Sequence, residues 1–361
     1  MSNLLRCLPA GNTETAGWPW TEETDQAVYA GRTDWPRISI VTPSYNQGQF
    51  LEETIRSVLL QNYPNLQYIV IDGGSTDGSV EIIKKYEPWI DYWVSEKDRG
   101  QSHAINKGLE RCNGVWFNWI NSDDCLLPGA LAAIGQADPQ AILVSGAEVT
   151  GPNLQQIRPL GRTKLGPTLE EAIVNQYICQ QGVFFRTEEV KKSGGVREEL
   201  HYVMDLDLII RLLLRHGRKA TGEIPETLAF FRQHGNAKTA MVAEKFLEEE
   251  RRLFRGLAEA VGCRQELRER LGNPSGKEIS FPETKRLARA RLEGLMAIRF
   301  WWGEGVEQAW KERKFNIFKK EVEGFRKNYP GIRTGRIRKL GPLARLPESW
   351  LSLISKFRAS G

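Results

Sequence analysis

From Arg37 onward, short β-branched runs alternate with apolar residues at helical spacing. Ile38-Ser39-Ile40-Val41 forms one such run, stopped by Pro43. Phe50, Leu51, Ile55, Val58 and Leu59 then recur with a period near 3.6 and end at Asn62-Tyr63-Pro64, which predicts a helix. Leu66 to Ile71 reads as a second strand closed by Asp72-Gly73-Gly74. Val80, Ile82, Ile83 and Tyr86 mark the next helix, with Asp77 or Ser79 as its cap. Tyr92-Trp93-Val94 is a third strand, followed by a helix through Ala104, Ile105 and Leu109. Val115 to Ile120 and Ala141 to Val144 are the fourth and fifth strands. Strand and helix in strict alternation predict an α/β fold, a mostly parallel open sheet with helices on both faces.

Beyond residue 150 the alternation decays. Gly182 to Phe185 reads as a strand, Val203 to His216 as a helix, and residues 241–330 as largely helical. The chain accordingly divides into an N-terminal lead-in (1–36), an α/β domain (37–240, with halves 37–150 and 151–240) and a helical C-terminal region with a basic tail (241–361).

Composition narrows the function classes. The 361 residues are 40% hydrophobic and 26% charged, a soluble globular balance. No stretch approaches the ~18 apolar residues that would span a bilayer, and the first 30 residues do not read as a signal peptide, so a cytoplasmic location is expected. Five scattered cysteines predict neither a disulfide framework nor a zinc site. Lys plus Arg number 50 against 45 Asp plus Glu. Seven basic residues and one acid lie between Gly331 and Gly361, a net +6, which leaves −1 on residues 1–330. A basic body built to grip nucleic acid is excluded on this count.

Ligands of open α/β sheets bind beyond the carboxyl ends of the strands. Those ends read Thr42-Pro43-Ser44-Tyr45-Asn46, then Asp72, then Glu96 and Asp98, then Asn121-Ser122-Asp123-Asp124. Acids clustered on one edge repel one another, and a hard divalent cation shared with a phosphate relieves that repulsion. A nucleoside diphosphate supplies such a phosphate, and the lone Asp72 suits a base N–H or a ribose hydroxyl. Helix capping is the alternative use of each acid taken singly.

These strand ends resemble glycosyltransferase family 2, inverting enzymes of the GT-A fold. Four ordered blocks carry the resemblance: Ser39 to Asn46, Ile69 to Gly78, Ser95 to Gly108, and Trp119 to Asp124. A looser match runs from Gln181 to Thr239, and the last ~120 residues carry no motif of the family. The resemblance implies nucleoside contacts from Thr42, Tyr45, Asn46 and Asp72, with Asp98 and Arg99 near the ribose and phosphates. It maps the metal-binding acids, for Mn²⁺ or Mg²⁺, onto Asp123 and Asp124, with Asp124 the direct ligand. Asn121 stands where many members have Asp. His234 falls at a family position near the phosphates, with a phosphate or metal role open beside a structural one. The general base maps onto Asp205, preceded by Met204 where an acid is usual. Asp207 competes for that role, although its spacing to Arg211 is that of a helical ion pair.

The implied activity is transfer of a sugar, with inversion, from a nucleoside-diphosphate sugar to an acceptor hydroxyl in cell-surface glycan synthesis. A UDP-sugar is the expected donor, and a glycan or lipid-linked molecule the acceptor. The alternative is a non-catalytic binding protein on the same fold. In the tail, Ser349 to Arg358 reads as a short amphipathic helix with Trp350, Ile354 and Phe357 on one face. That face suits peripheral contact with an anionic membrane, or equally closure onto residues 241–330.

Overall fold

The computed structural model describes residues 4–11, 15–235, 243–272, 277–332, 334–348, 351–352 and 354–355. It divides into two compact units, residues 1–164 with 177–246, and residues 165–176 with 247–361.

The first unit is built on a nine-stranded sheet. Its strands are β1 (Ile38–Ser44), β2 (Leu66–Asp72), β3 (Tyr92–Ser95), β4 (Trp116–Trp119), β5 (Cys125–Leu126), β6 (Leu143–Gly151), β7 (Arg158–Arg162), β8 (Val183–Arg186) and β9 (Thr221–Arg232). Their order is β3-β2-β1-β4-β8-β6-β9-β5, with β7 paired to β6. The run β3-β2-β1-β4 is parallel throughout. Beyond it the sheet is mixed: β8 is antiparallel to both β4 and β6, whereas β9 runs parallel to β6. β1 is buried along its whole length, as a central parallel strand covered on both faces must be. Register brings the polar strand ends together, with Ser44 beside Asp72 and Asp72 beside Ser95. Trp116 and Trp119 are core residues, each 1% exposed.

The lead-in, set apart as residues 1–36 on the sequence, packs into the first unit. Trp18, Tyr29 and Trp35 are buried in the core of the first unit. Trp18 Nε1 donates to the Leu126 carbonyl at 2.8 Å, and the Tyr29 hydroxyl donates to the Gln61 carbonyl at 2.7 Å. Arg56, 2% exposed on helix Gly48–Leu59, donates to the carbonyls of Pro9, Pro19 and Trp20 and to the Tyr86 hydroxyl. Aromatic burial and one satisfied guanidinium therefore bind the lead-in to the sheet's helices.

The second unit is helical, with helices that include Arg289–Met296 and Phe315–Asn328 joined by a π-helical stretch, Ala297–Glu307. It also takes in helix Leu169–Val174, which sequence reading assigned to the α/β domain. Glu170 accepts from the Ala288 N–H, and Arg291 lies within ion-pair reach of Glu170 and Glu171, which ties that helix to its unit. Phe254 against Phe300 and Trp302 against Phe325 form its aromatic core. The amphipathic tail segment Ser349–Arg358 lies largely outside the described residues. Among the described residues, no helix is long and apolar enough to cross a membrane.

Candidate active site

A cavity of about 840 Å³ opens at the carboxyl ends of the parallel strands and runs under β6 and the start of helix Met204–His216. Its walls lie wholly within the first unit.

Tyr45 and Asp98 line the cavity from the parallel half. Tyr45 is 62% exposed, a ring left open to a flat partner. Gly73 makes this seat possible. A Cβ at that position would lie 2.7 Å from Asp98 Oδ2 and 3.3 Å from the Tyr45 ring. Asp98 Oδ1 also accepts from the Gly100 N–H at 2.8 Å.

The other predicted nucleoside contacts serve the loops that frame this seat. Asp72 is fully buried and accepts from the Gly74 and Ser75 N–H groups and from the hydroxyls of Ser75 and Ser95. Four donors thus hold its carboxylate, and it is not a cavity-lining residue. Asn46, in the left-handed region at φ +51°, accepts from the Thr76 N–H and donates its own N–H to Ser75 Oγ. Thr42 is buried with its hydroxyl 3.0 Å from that of Tyr68. Arg99 is exposed and bonded twice to Glu198, away from the cavity lining.

The loop after β4 carries the paired acids. Asp124 is 1% exposed, and its oxygens accept from the Arg232 N–H (3.0 Å), Asn121 Nδ2 (3.1 Å) and Gln181 Nε2 (2.7 Å). Burial first, and the charge of Asp123 second, push its carboxyl up to about 8. The Asn121 carbonyl accepts from Gln101, so Asn121 orients Asp124 and has its own oxygen occupied. Asp123 also lines the cavity, and its Oδ2 lies 3.0 Å from His234 Nε2. His234 itself is not a lining residue; it packs on Phe50 and holds Asp123. Asp123, Asp124 and His234 therefore do not converge as a three-ligand centre, and no group of three His, Cys, Asp or Glu does so among the described residues. Two oxygen acids with the remaining positions left to phosphate and water is the usual Mg²⁺ arrangement, and Asp123 and Asp124 supply two such acids at the cavity wall.

Asp205 and Asp207 separate sharply. Asp205 lines the cavity, and burial pushes its carboxyl up to about 6 despite the bond from the Leu206 N–H. Asp207 is fully buried outside the lining, 2.8 Å from Arg211 and 3.4 Å from Arg197. Burial raises its carboxyl, and the two guanidiniums oppose that rise.

Comparisons with known proteins now bear on this geometry. A model described as glycosyl transferase family 2 matches residues 39–158. A putative teichuronic acid biosynthesis glycosyltransferase of Bacillus subtilis is 40% identical over 97 residues, 26% of this chain and 38% of that protein. An uncharacterized glycosyltransferase of Mycobacterium tuberculosis is 32% identical over 190 residues, 50% of this chain and 71% of its own. The chain belongs to glycosyltransferase family 2. Its fold is that of the first 349 residues of TarS from S. aureus, solved in complex with UDP-GlcNAc, at a TM-score of 0.56. Sequence identity there is 16%, over 86% of this chain and 87% of that one.

Three residues of this family 2 site escaped sequence reading. Gln181 and Arg232 hold Asp124, and Arg232 also donates to the carbonyls of Asp123 and Pro152 and pairs with Glu53. Glu148 on β6 is 1% exposed and lines the cavity. A lone acid in an apolar strand was its available signal.

Proposed function

We propose that this protein transfers a sugar from a nucleoside-diphosphate sugar to an acceptor hydroxyl, with inversion at the anomeric carbon. The observation that carries the reading is one cavity lined by Tyr45 and Asp98 at one end, Asp123 and Asp124 between, and Asp205 beyond. Tyr45 stacks on the base, and Asp98 meets the ribose. Asp123, oriented by His234, and Asp124, oriented by Asn121, Gln181 and Arg232, hold a divalent cation. When bound, that cation neutralises charge growing on the departing diphosphate. Asp205 accepts the acceptor hydroxyl's proton as the oxygen bonds to the anomeric carbon and the bond from that carbon to the phosphate oxygen breaks. A carboxyl raised to about 6 is a stronger base than an ordinary aspartate yet remains ionised at pH 7.

TarS supplies a solved precedent for a UDP-sugar on this fold. The Bacillus subtilis relative, named for teichuronic acid biosynthesis, supports a cell-surface glycan or its lipid-linked precursor as acceptor. Peripheral membrane contact through the basic tail, on the cytoplasmic side, belongs to the same reading. The deciding experiment incubates the purified chain with a panel of UDP-, GDP- and dTDP-sugars and Mn²⁺, and follows release of nucleoside diphosphate. Release that chelator abolishes supports the reading. Binding of nucleotide sugars with no turnover, with or without glycan and lipid-linked acceptors, would leave a binding protein instead.

A further inference from the structure

Glu148 sits at an irregularity of β6, where the register to β7 shifts between Glu148 and Val149. Only 1% of it is exposed, and it is one of the residues that line the cavity. Oε1 accepts from the Gly182 N–H at 2.5 Å. Oε2 has no hydrogen-bond partner among the described residues. A buried oxygen without a partner is costly, and natural interiors leave few of them. The neighbouring backbone is shaped to admit this side chain. A Cβ on Gly182 would lie 3.1 Å from both Glu148 Cγ and Oε1, closer than comfortable contact. The glycine that accommodates the carboxylate and the bond that fixes it leave one oxygen committed and the other buried without a partner, on a side chain that lines the cavity.

Its position defines what that oxygen meets. Asp124 and Asp205 share the cavity with it, and the charge of each acts on Glu148. Asp124 belongs to the diphosphate end, and Asp205 faces the acceptor. The group that lies between them during transfer is the sugar ring, whose hydroxyls both donate and accept. Burial holds the Glu148 carboxyl up at about 8, so at pH 7 it also both donates and accepts. We propose that Glu148 Oε2 hydrogen-bonds a hydroxyl of the sugar being transferred, making Glu148 a residue that determines donor-sugar specificity. This inference rests on the transferase reading above.

The experiment separates the sugar from the nucleotide. Affinities of wild type, Glu148→Gln and Glu148→Ala are measured by calorimetry with Mn²⁺, first for free UDP, GDP and dTDP. They are then measured for whichever nucleotide sugar of the panel stabilises the wild type most. The inference expects Glu148→Ala to bind that nucleotide sugar about 10–100-fold more weakly, with the free diphosphate changed less than about twofold. Glu148→Gln keeps the side chain's length and the bond to Gly182, so it folds, and its loss is smaller. Donors deoxygenated at single ring positions sharpen the result: one of them loses all sensitivity to Glu148→Ala. Equal weakening of sugar and free diphosphate, or unchanged affinity for both, overturns the inference while leaving the transferase reading in place. A wild type that binds no nucleotide sugar overturns both.

Discussion

The two halves of the first unit's sheet build the cavity by different means. In the parallel half, β1 to β4, the polar groups sit on the loops that leave the strands, and many of those groups hold each other. Asp72, Asn46 and Ser75 form a framework of short bonds whose product is a seat at Tyr45 and Asp98. In the mixed half, β6, β8 and β9, single side chains project from the strands or their immediate ends. Glu148, Gln181 and Arg232 are each more than nine-tenths buried and reach inward one at a time. The difference teaches a division of labour. On the proposed reading, the parallel half holds the nucleotide portion of the donor, whereas the mixed half, with Asp205, addresses the reacting groups. Asp124 stands where they meet, carried by one half and held by Gln181 and Arg232 of the other.

Substitutions test this division by separating binding from turnover. The largest effect belongs to the meeting point. Asp124→Ala removes a loop carboxylate of the proposed cation site and should cut transfer by ~10³-fold or more, with the fold intact by circular dichroism. Retained turnover in that variant, or full wild-type activity in excess chelator, would break the cation assignment. Next comes Asp205→Asn, expected to lower kcat by ~10²–10⁴-fold while donor affinity is kept. In wild type the same group predicts kcat/KM climbing as pH rises through about 6, since the base must lose its proton. Asp207→Asn should instead lower thermal stability, by about 3–5 kcal/mol if the buried pairs behave as usual. A kcat loss confined to Asp207→Asn would reverse the two roles.

A smaller effect probes the parallel half alone. Tyr45→Ala should weaken free nucleoside diphosphate about tenfold, in keeping with the ~1–3 kcal/mol of an aromatic stacked on a base. Its kcat at saturating donor should hold; a selective kcat defect there would dissolve the division of labour. The smallest effect is on stability. Asp124 titrates at about 8 when folded against about 4 unfolded, so the folded chain holds the extra proton. Its contribution therefore falls as pH rises from about 4 to 8. In chelator, Asp124→Asn should melt higher than wild type at pH 8 and no higher at pH 4. Equal melting at both values would place that carboxyl in a more polar setting.

The same contrast explains what the sequence revealed. A loop that leaves a parallel strand keeps its chemistry contiguous, so Asn121 to Asp124 and the segment around Asp98 stand out as strings. Asp205 is reached through the family resemblance, which sets the base at the start of a helix; the apolar period marks only the helix itself. Glu148 is a single acid in an apolar run, and its meaning comes from Gly182, 34 positions away in the chain. Asp72 was legible as an acid at the right place, but its four local donors are set by folding and not by spacing. The lead-in's place in the core was not legible because it contributes large aromatics to another segment's core, a role with no periodicity. Residues 165–176 belong to the second unit through pairs such as Glu170 with Arg291, which no local pattern announces.

Gly73 also bears on how this enzyme is to be re-engineered. Donor preference in such proteins invites loop exchange, in which the segment after one strand is replaced by that of a cousin. Here the loop after β2 and the loop after β3 interlock through an absent side chain, Asp98 filling the space that any larger residue at 73 would occupy. Neither loop is a free module. A chimera that imports a bulkier residue at position 73 must bring a matching partner for position 98, and a library that randomises the two together will recover active members that single-loop libraries miss.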